Sequence, residues 1–136
     1  MTAVPRLEDV MTASPWFCHA EDALAHAVAV MDQHAIRHLP VTQDGALVGV
    51  VSQRDAALVL GSSAPERRAA VLVRDALARD VYVVDAGEPL DEVLLAMAAR
   101  HIGSALVTRG GRLAGILTAV DACRAFGELL RGLRSR

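Results

Sequence analysis

The sequence predicts an α+β fold of two β-α-β-β-α repeats packed with pseudo-twofold symmetry. Three observations carry this. Gly49-Val50-Val51-Ser52-Gln53-Arg54-Asp55 returns 66 residues later as Gly115-Ile116-Leu117-Thr118-Ala119-Val120-Asp121. The same shift lays Asp44-Gly45 on Gly110-Gly111, each pair between two aliphatic runs. It also lays a helical apolar face (Leu24, Ala27, Val28, Met31, Ala35) on a second one (Leu90, Val93, Leu94, Met97). A single unit cannot bury both faces of a three-stranded sheet, whereas two units packed sheet to sheet can, so the chain reads as one compact module.

Each element has its own signal. A lead-in, Leu7-Glu8-Asp9-Val10-Met11, matches Val73-Arg74-Asp75-Ala76-Leu77. Short strands follow at Trp16-Phe17-Cys18 and Tyr82-Val83-Val84. Asp22 and Glu88 stand at the helix starts, where an acidic group meets the dipole favourably, and Pro89 suits a first helical turn. The hairpins run through Leu39–Thr42 and Leu47–Val51, then Ala105–Thr108 and Leu113–Leu117. Asp-Gly and Gly-Gly supply the positive φ that their tight turns demand. Second helices are expected through Ala56–Leu60 and Ala122–Leu130. Gly61-Ser62-Ser63-Ala64-Pro65 breaks the first of them, and residues 66–72 suit one more helical turn. The expected boundaries are 7–61 for the first repeat, 62–72 for a linker and 73–130 for the second repeat.

Composition narrows the function. The 136 residues are 53% apolar, ample for a core, with 3% aromatic, so Ala, Val and Leu must fill the interior. Every basic side chain is Arg, and the net charge is −2, which gives little drive toward nucleic acid or an anionic membrane. Arg131, Arg134 and Arg136 read as a solvated tail. Cys18 and Cys123 have neither metal-ligand nor disulfide spacing, and His34 with His38 straddle a helix-to-strand passage that does not suit a metal. No signal pattern and no apolar run of about 18 residues is found, so a soluble, cytoplasmic protein is expected. Nor is there a nucleophile–base pair or a phosphate-binding glycine loop, so no enzyme is expected.

With these residues in view, the chain resembles a tandem pair of CBS domains, a Bateman module, of the small stand-alone bacterial type. The match rests on the repeated Gly-h-h-Ser/Thr-x-x-Asp run, on Ile36-Arg37-His38-Leu39-Pro40-Val41, on the Asp44-Gly45 hairpin and on Val10-Met11-Thr12. It covers roughly residues 7 to 130. The resemblance implies a homodimeric regulatory module that binds AMP, ADP, ATP or S-adenosylmethionine and signals to a partner protein. The nucleotide would be a regulatory ligand; no cofactor is required. Neither copy has the family's usual Gly ahead of the second strand; Ala35 and His101 stand there instead.

The resemblance places candidate nucleotide contacts at Ser52, Asp55, Thr118, Asp121, Ile36, Arg37, His38, Pro40, Arg54, Ile102 and Ser104. A carboxylate near a helix start can accept from both hydroxyls of a ribose, which selects a vicinal diol. Ser52 and Thr118 can donate to a phosphate or ribose, and a helix N-terminus favours an anion. The same Ser-x-x-Asp pattern also suits an ordinary N-cap, and the two uses are compatible. Arg37 and His38 face either phosphate or solvent. In the second copy Gly103, Ser104, Leu106 and Val120 replace Arg37, His38, Pro40 and Arg54, so its phosphate-facing charge is lower. Gly49 and Gly115 admit close approach of a ligand or a neighbouring strand. Trp16 and Tyr82 wall an adenine or plug the core, and scarce aromatics favour the core. An alternative function is a ligand-free dimerisation scaffold, because Ala122, Ala125, Phe126, Leu129, Leu130 and Leu133 leave a broad apolar face.

Overall fold

The computed structural model describes residues 4–13 and 16–135; Arg136, in the arginine-rich tail, lies outside the described residues. The chain forms two compact units, one of Met1–Ser14 with Tyr82–Arg136 and one of Pro15–Val81. The lead-in that opens the first repeat in sequence therefore packs with the strands of the second.

In the unit of Pro15–Val81, β2 (Cys18–His19) runs parallel to β3 (His38–Gln43), which pairs antiparallel with β4 (Ala46–Ser52). Helix α2 (Leu24–Gln33) buries Leu24, Ala27 and Met31 against Leu39, Val41 and Val51. Helix α3 (Gln53–Gly61) follows β4 directly, and 3-10 turns at Pro65–Ala70 and Val73–Asp75 complete the unit. In the other unit, β5 (Val83–Asp85) is parallel to β6 (Ser104–Arg109), and β6 is antiparallel to β7 (Arg112–Thr118). Helix α4 (Leu90–Arg100) buries Leu90, Val93 and Met97 against Ala105, Val107 and Leu117. These are the core residues of the first unit shifted by 66, so the apolar periodicity of the sequence is the packing face. Helix α5 (Ala119–Arg134) leaves β7. Short α1 (Leu7–Val10) and β1 (Thr12–Ala13) precede them, with β1 antiparallel to β7.

The hairpin turns follow their glycines. Asp44 and Gly45 have φ of 52° and 79°, and Gly110 and Gly111 have 61° and 80°. Two consecutive positive values define the turn whose twist matches the flanking strands. Each hairpin then shifts register once, between Val41 and Thr42 and between Val107 and Thr108, so Val48 and Ala114 are the extra, unpaired residues.

The repeated glycine serves a neighbouring segment. Val50 bridges Ala78, with N–H···O distances of 3.1 and 2.8 Å, and β1 pairs Thr12 with Ile116 and Ala13 with Gly115. Gly49 and Gly115 lie directly against these segments, with no room for a Cβ. The lead-in turns also match, since Asp9 accepts from the Arg6 N–H at 3.0 Å and Asp75 from the Leu72 N–H at 2.9 Å.

Asp22 and Glu88 stand two residues before α2 and α4, and their carboxylates accept from the N–H of His19 (2.9 Å) and Asp85 (3.4 Å), closing the turn before each helix. Four expectations need correction. Pro89 is the N-cap residue, outside the first turn. The second helices begin before the aspartates, which lie inside the first turn. The extra turn after Pro65 is 3-10 and ends at Ala70. Trp16 is not core: it is exposed and stacks on His34, ring centroids 3.8 Å apart, whereas Tyr82 packs against its unit's core beneath the Arg100 guanidinium. The reason is Pro40. In the second repeat the Leu106 N–H holds the Tyr82 carbonyl at 2.8 Å. Proline at the matching position has no N–H, so β2 starts only at Cys18 and Trp16 stays off the sheet.

Candidate functional site

The candidate residues of the first repeat gather where β4 ends and α3 begins. His38 and Ser52 are cross-strand partners, and the Gln53 N–H donates to the Arg37 carbonyl at 2.8 Å. Ser52 is the N-cap of α3: its Oγ accepts the Asp55 N–H at 3.0 Å. The capping reading of Ser-x-x-Asp is thus realised, yet it uses the backbone of Asp55 and leaves its carboxylate. Among the described residues that carboxylate has no hydrogen-bond partner, and Asp55 is half-buried. Ile36 is half-buried, Pro40 is buried, and Arg37 and Arg54 are exposed.

His38 registers the electrostatics of this end of the unit. Burial lowers its pKa below the ordinary histidine value; the Asp55 carboxylate opposes that, and Arg37 adds to it. Asp55 therefore lies within electrostatic reach of His38. Gln53, which the motif treats as a spacer, donates from Nε2 to Asp32 on α2 at 3.3 Å and ties the two helices. Burial, with the Asp22 charge adding to it, pushes the Cys18 thiol up to about 12, so it is an inert core group.

The second repeat uses the same residues differently. Ser104 pairs with Thr118, and the Ala119 N–H donates to the Gly103 carbonyl at 3.0 Å. Thr118 caps α5, accepting the Asp121 N–H at 3.2 Å. Here the carboxylate returns the bond: Asp121 Oδ2 accepts from the Thr118 N–H at 2.9 Å and from its Oγ1 at 3.0 Å. Arg124 lies on Oδ1 at 3.4 Å, and Asp121 is 6% exposed. Ile102 and Ser104 are half-buried. Arg124 was not among the candidates, although its three-residue spacing from Asp121 on a helix is a pairing signal.

Concave surface within the unit of α4 lies elsewhere. A groove runs between Arg6, Glu8 and Arg109 and the turn at Asp85–Asp91. Both arginines pair there with Glu8, Arg109 at 2.7 Å, and Asp85, Glu88 and Asp91 leave the rest of the lining acidic. Among the described residues no group of three His, Cys, Asp or Glu could hold a metal, and no helix is long and apolar enough to cross a membrane.

A family model for the CBS domain matches residues 7–62 and 73–128. The chain is 32% identical over 118 residues to the uncharacterized protein YlbB of Bacillus subtilis, covering 85% of this chain and 78% of that one. Its fold is similar to a Vibrio cholerae protein ascribed to acetoin utilization, AcuB, with a TM-score of 0.84, 27% identity and 98% of each chain covered. It is also similar to the CBS domain pair of protein MJ0100 in complex with 5′-methylthioadenosine and S-adenosyl-L-methionine. There the TM-score is 0.81 and the identity 26%, over 93% of this chain and 98% of that one.

Proposed function

The chain belongs to the CBS domain family, and on that premise we propose that it binds an adenosine ligand and reports nucleotide state to a partner protein. A CBS pair is a regulatory module rather than a catalytic domain. The ligand would be AMP, ADP, ATP or S-adenosylmethionine. The observation that carries the reading is the Asp55 carboxylate: half-buried, without a partner among the described residues, and beside Ser52 and His38. A ribose diol offers the two O–H donors such a carboxylate lacks, and the Ser52 O–H, which has no acceptor among the described residues, can donate in return. Arg37 and Arg54 supply charge for a phosphate. Ile36 and Pro40 supply apolar contact for a base. The ligand pair bound by MJ0100 supports the class, because both of its members carry an adenosine.

Signalling then requires that ligand distinguish two arrangements of the module. Its effect can be no larger than its differential affinity for them. Calorimetric titration with AMP, ADP, ATP, S-adenosylmethionine and 5′-methylthioadenosine tests the reading. Binding by at least one of them, weakened in Asp55→Asn, supports it; no heat from any at millimolar concentration ends it.

A second reading is a ligand-free dimerisation scaffold. Phe126, Leu129, Leu130 and Leu133 on α5 are each about half exposed or more, a wide apolar stripe for one helix. The titration separates the two, since a scaffold would form without any adenosine ligand.

A further inference from the structure

The two aspartates of the repeat are chemically unequal. Asp121 has both oxygens engaged, Oδ2 by Thr118 through N–H and Oγ1, and Oδ1 by Arg124. It is buried, and a sugar could reach it only by displacing these partners. Asp55 has no such partners among the described residues. The residue that corresponds to Arg124 in the first repeat is Leu58, which cannot hold a carboxylate. The surroundings differ in the same sense. Where the first repeat has Arg37 and His38, the second has Gly103 and Ser104.

We propose that the chain takes one adenosine ligand, at Asp55, and that Thr118 and Arg124 have made Asp121 a structural latch that closes the start of α5. This rests on the adenosine-ligand reading above and specifies which copy of the motif serves it. A carboxylate held by three donors gains little by exchanging them for two sugar hydroxyls, because the half-buried Thr118 N–H and Oγ1 would lose their acceptor. The unpartnered carboxylate has no such loss. The motif is duplicated in sequence while its chemistry divides, one copy recognising and the other capping.

The test uses the full chain with 5′-methylthioadenosine, S-adenosylmethionine and ATP as probes, reading both stoichiometry and urea midpoint. One ligand per chain is expected, with affinity falling about tenfold or more in Asp55→Asn, as loss of a charged acceptor implies. Asp121→Asn is expected to keep the affinity within a factor of about two and to lower the urea midpoint, whereas Asp55→Asn leaves the midpoint in place. Arg124→Leu, which installs the first repeat's residue, should lower the midpoint less than Asp121→Asn does. Two ligands per chain, or an affinity lost in Asp121→Asn while its midpoint is unchanged, overturns the proposal and leaves the adenosine-ligand reading standing. No binding of any probe overturns both.

Discussion

Gly49 and Ala78 lie so close that a Cβ on the glycine would overlap the alanine's carbonyl oxygen. Leu77 Cδ1 would be hit as well. At Gly115 the added atom would sit 2.7 Å from both the Thr12 carbonyl oxygen and the Met11 sulfur. The glycine of the repeated motif is there so that a second segment can pair with the strand. Gly49→Ala should therefore lower unfolding free energy by about 2–3 kcal/mol, the scale of overpacking at a site that backbone walls cannot vacate. Gly127→Ala, in open space in the middle of α5, should instead raise it by about 0.5–1 kcal/mol. Urea denaturation of both variants checks this, and equal effects would refute the steric account.

Ala35 and His101 share a backbone conformation that glycine favours, with φ of 53° and 54°. Each lets the next residue close its helix, Ile36 N–H to Met31 carbonyl at 3.0 Å and Ile102 N–H to Met97 carbonyl at 3.1 Å. A side chain in this region costs about 1–2 kcal/mol, partly offset by the greater entropy glycine loses on folding. Both side chains are exposed, so their removal sacrifices no packing. Ala35→Gly and His101→Gly are each expected to raise Tm by about 2–4 °C. A fall in Tm for both, measured by calorimetry, would show that the strain is absent.

His38 makes stability depend on pH. Its folded pKa lies below the ordinary value of 6.5, chiefly through burial. Between the folded and unfolded values the unfolded chain holds more protons, so stability rises with pH there. The contribution of His38 is complete above about pH 7; it declines as pH falls through the unfolded value and keeps declining until the folded pKa is passed. His38→Gln should flatten the stability profile as pH falls below about 7. Imidazole NMR titration should place His38 below 6.5, and a midpoint above that would contradict the assignment.

Much of the molecule is legible in the sequence because it is periodic. The core of α2 and α4, the hairpin turns at Asp44-Gly45 and Gly110-Gly111, and the capping roles of Ser52 and Thr118 are local consequences of residue type and spacing. Their burial and dihedral needs can be met by few other geometries. The exceptions arise from single residues acting across strands. Pro40 removes one N–H and frees Trp16, an effect that the helical and strand periods do not register.

Duplication, the order of elements and the family were determined by the sequence by itself, because repeated apolar spacing and turn chemistry act over a few residues. Only the tertiary structure decided which segment lies against Gly49 and Gly115, and how the two aspartates differ. Contacts between residues distant in the chain depend on the register of paired strands. The availability of a carboxylate depends on which donors reach it, and those are set by side-chain placement around the helix start, not by the motif that Asp55 and Asp121 share.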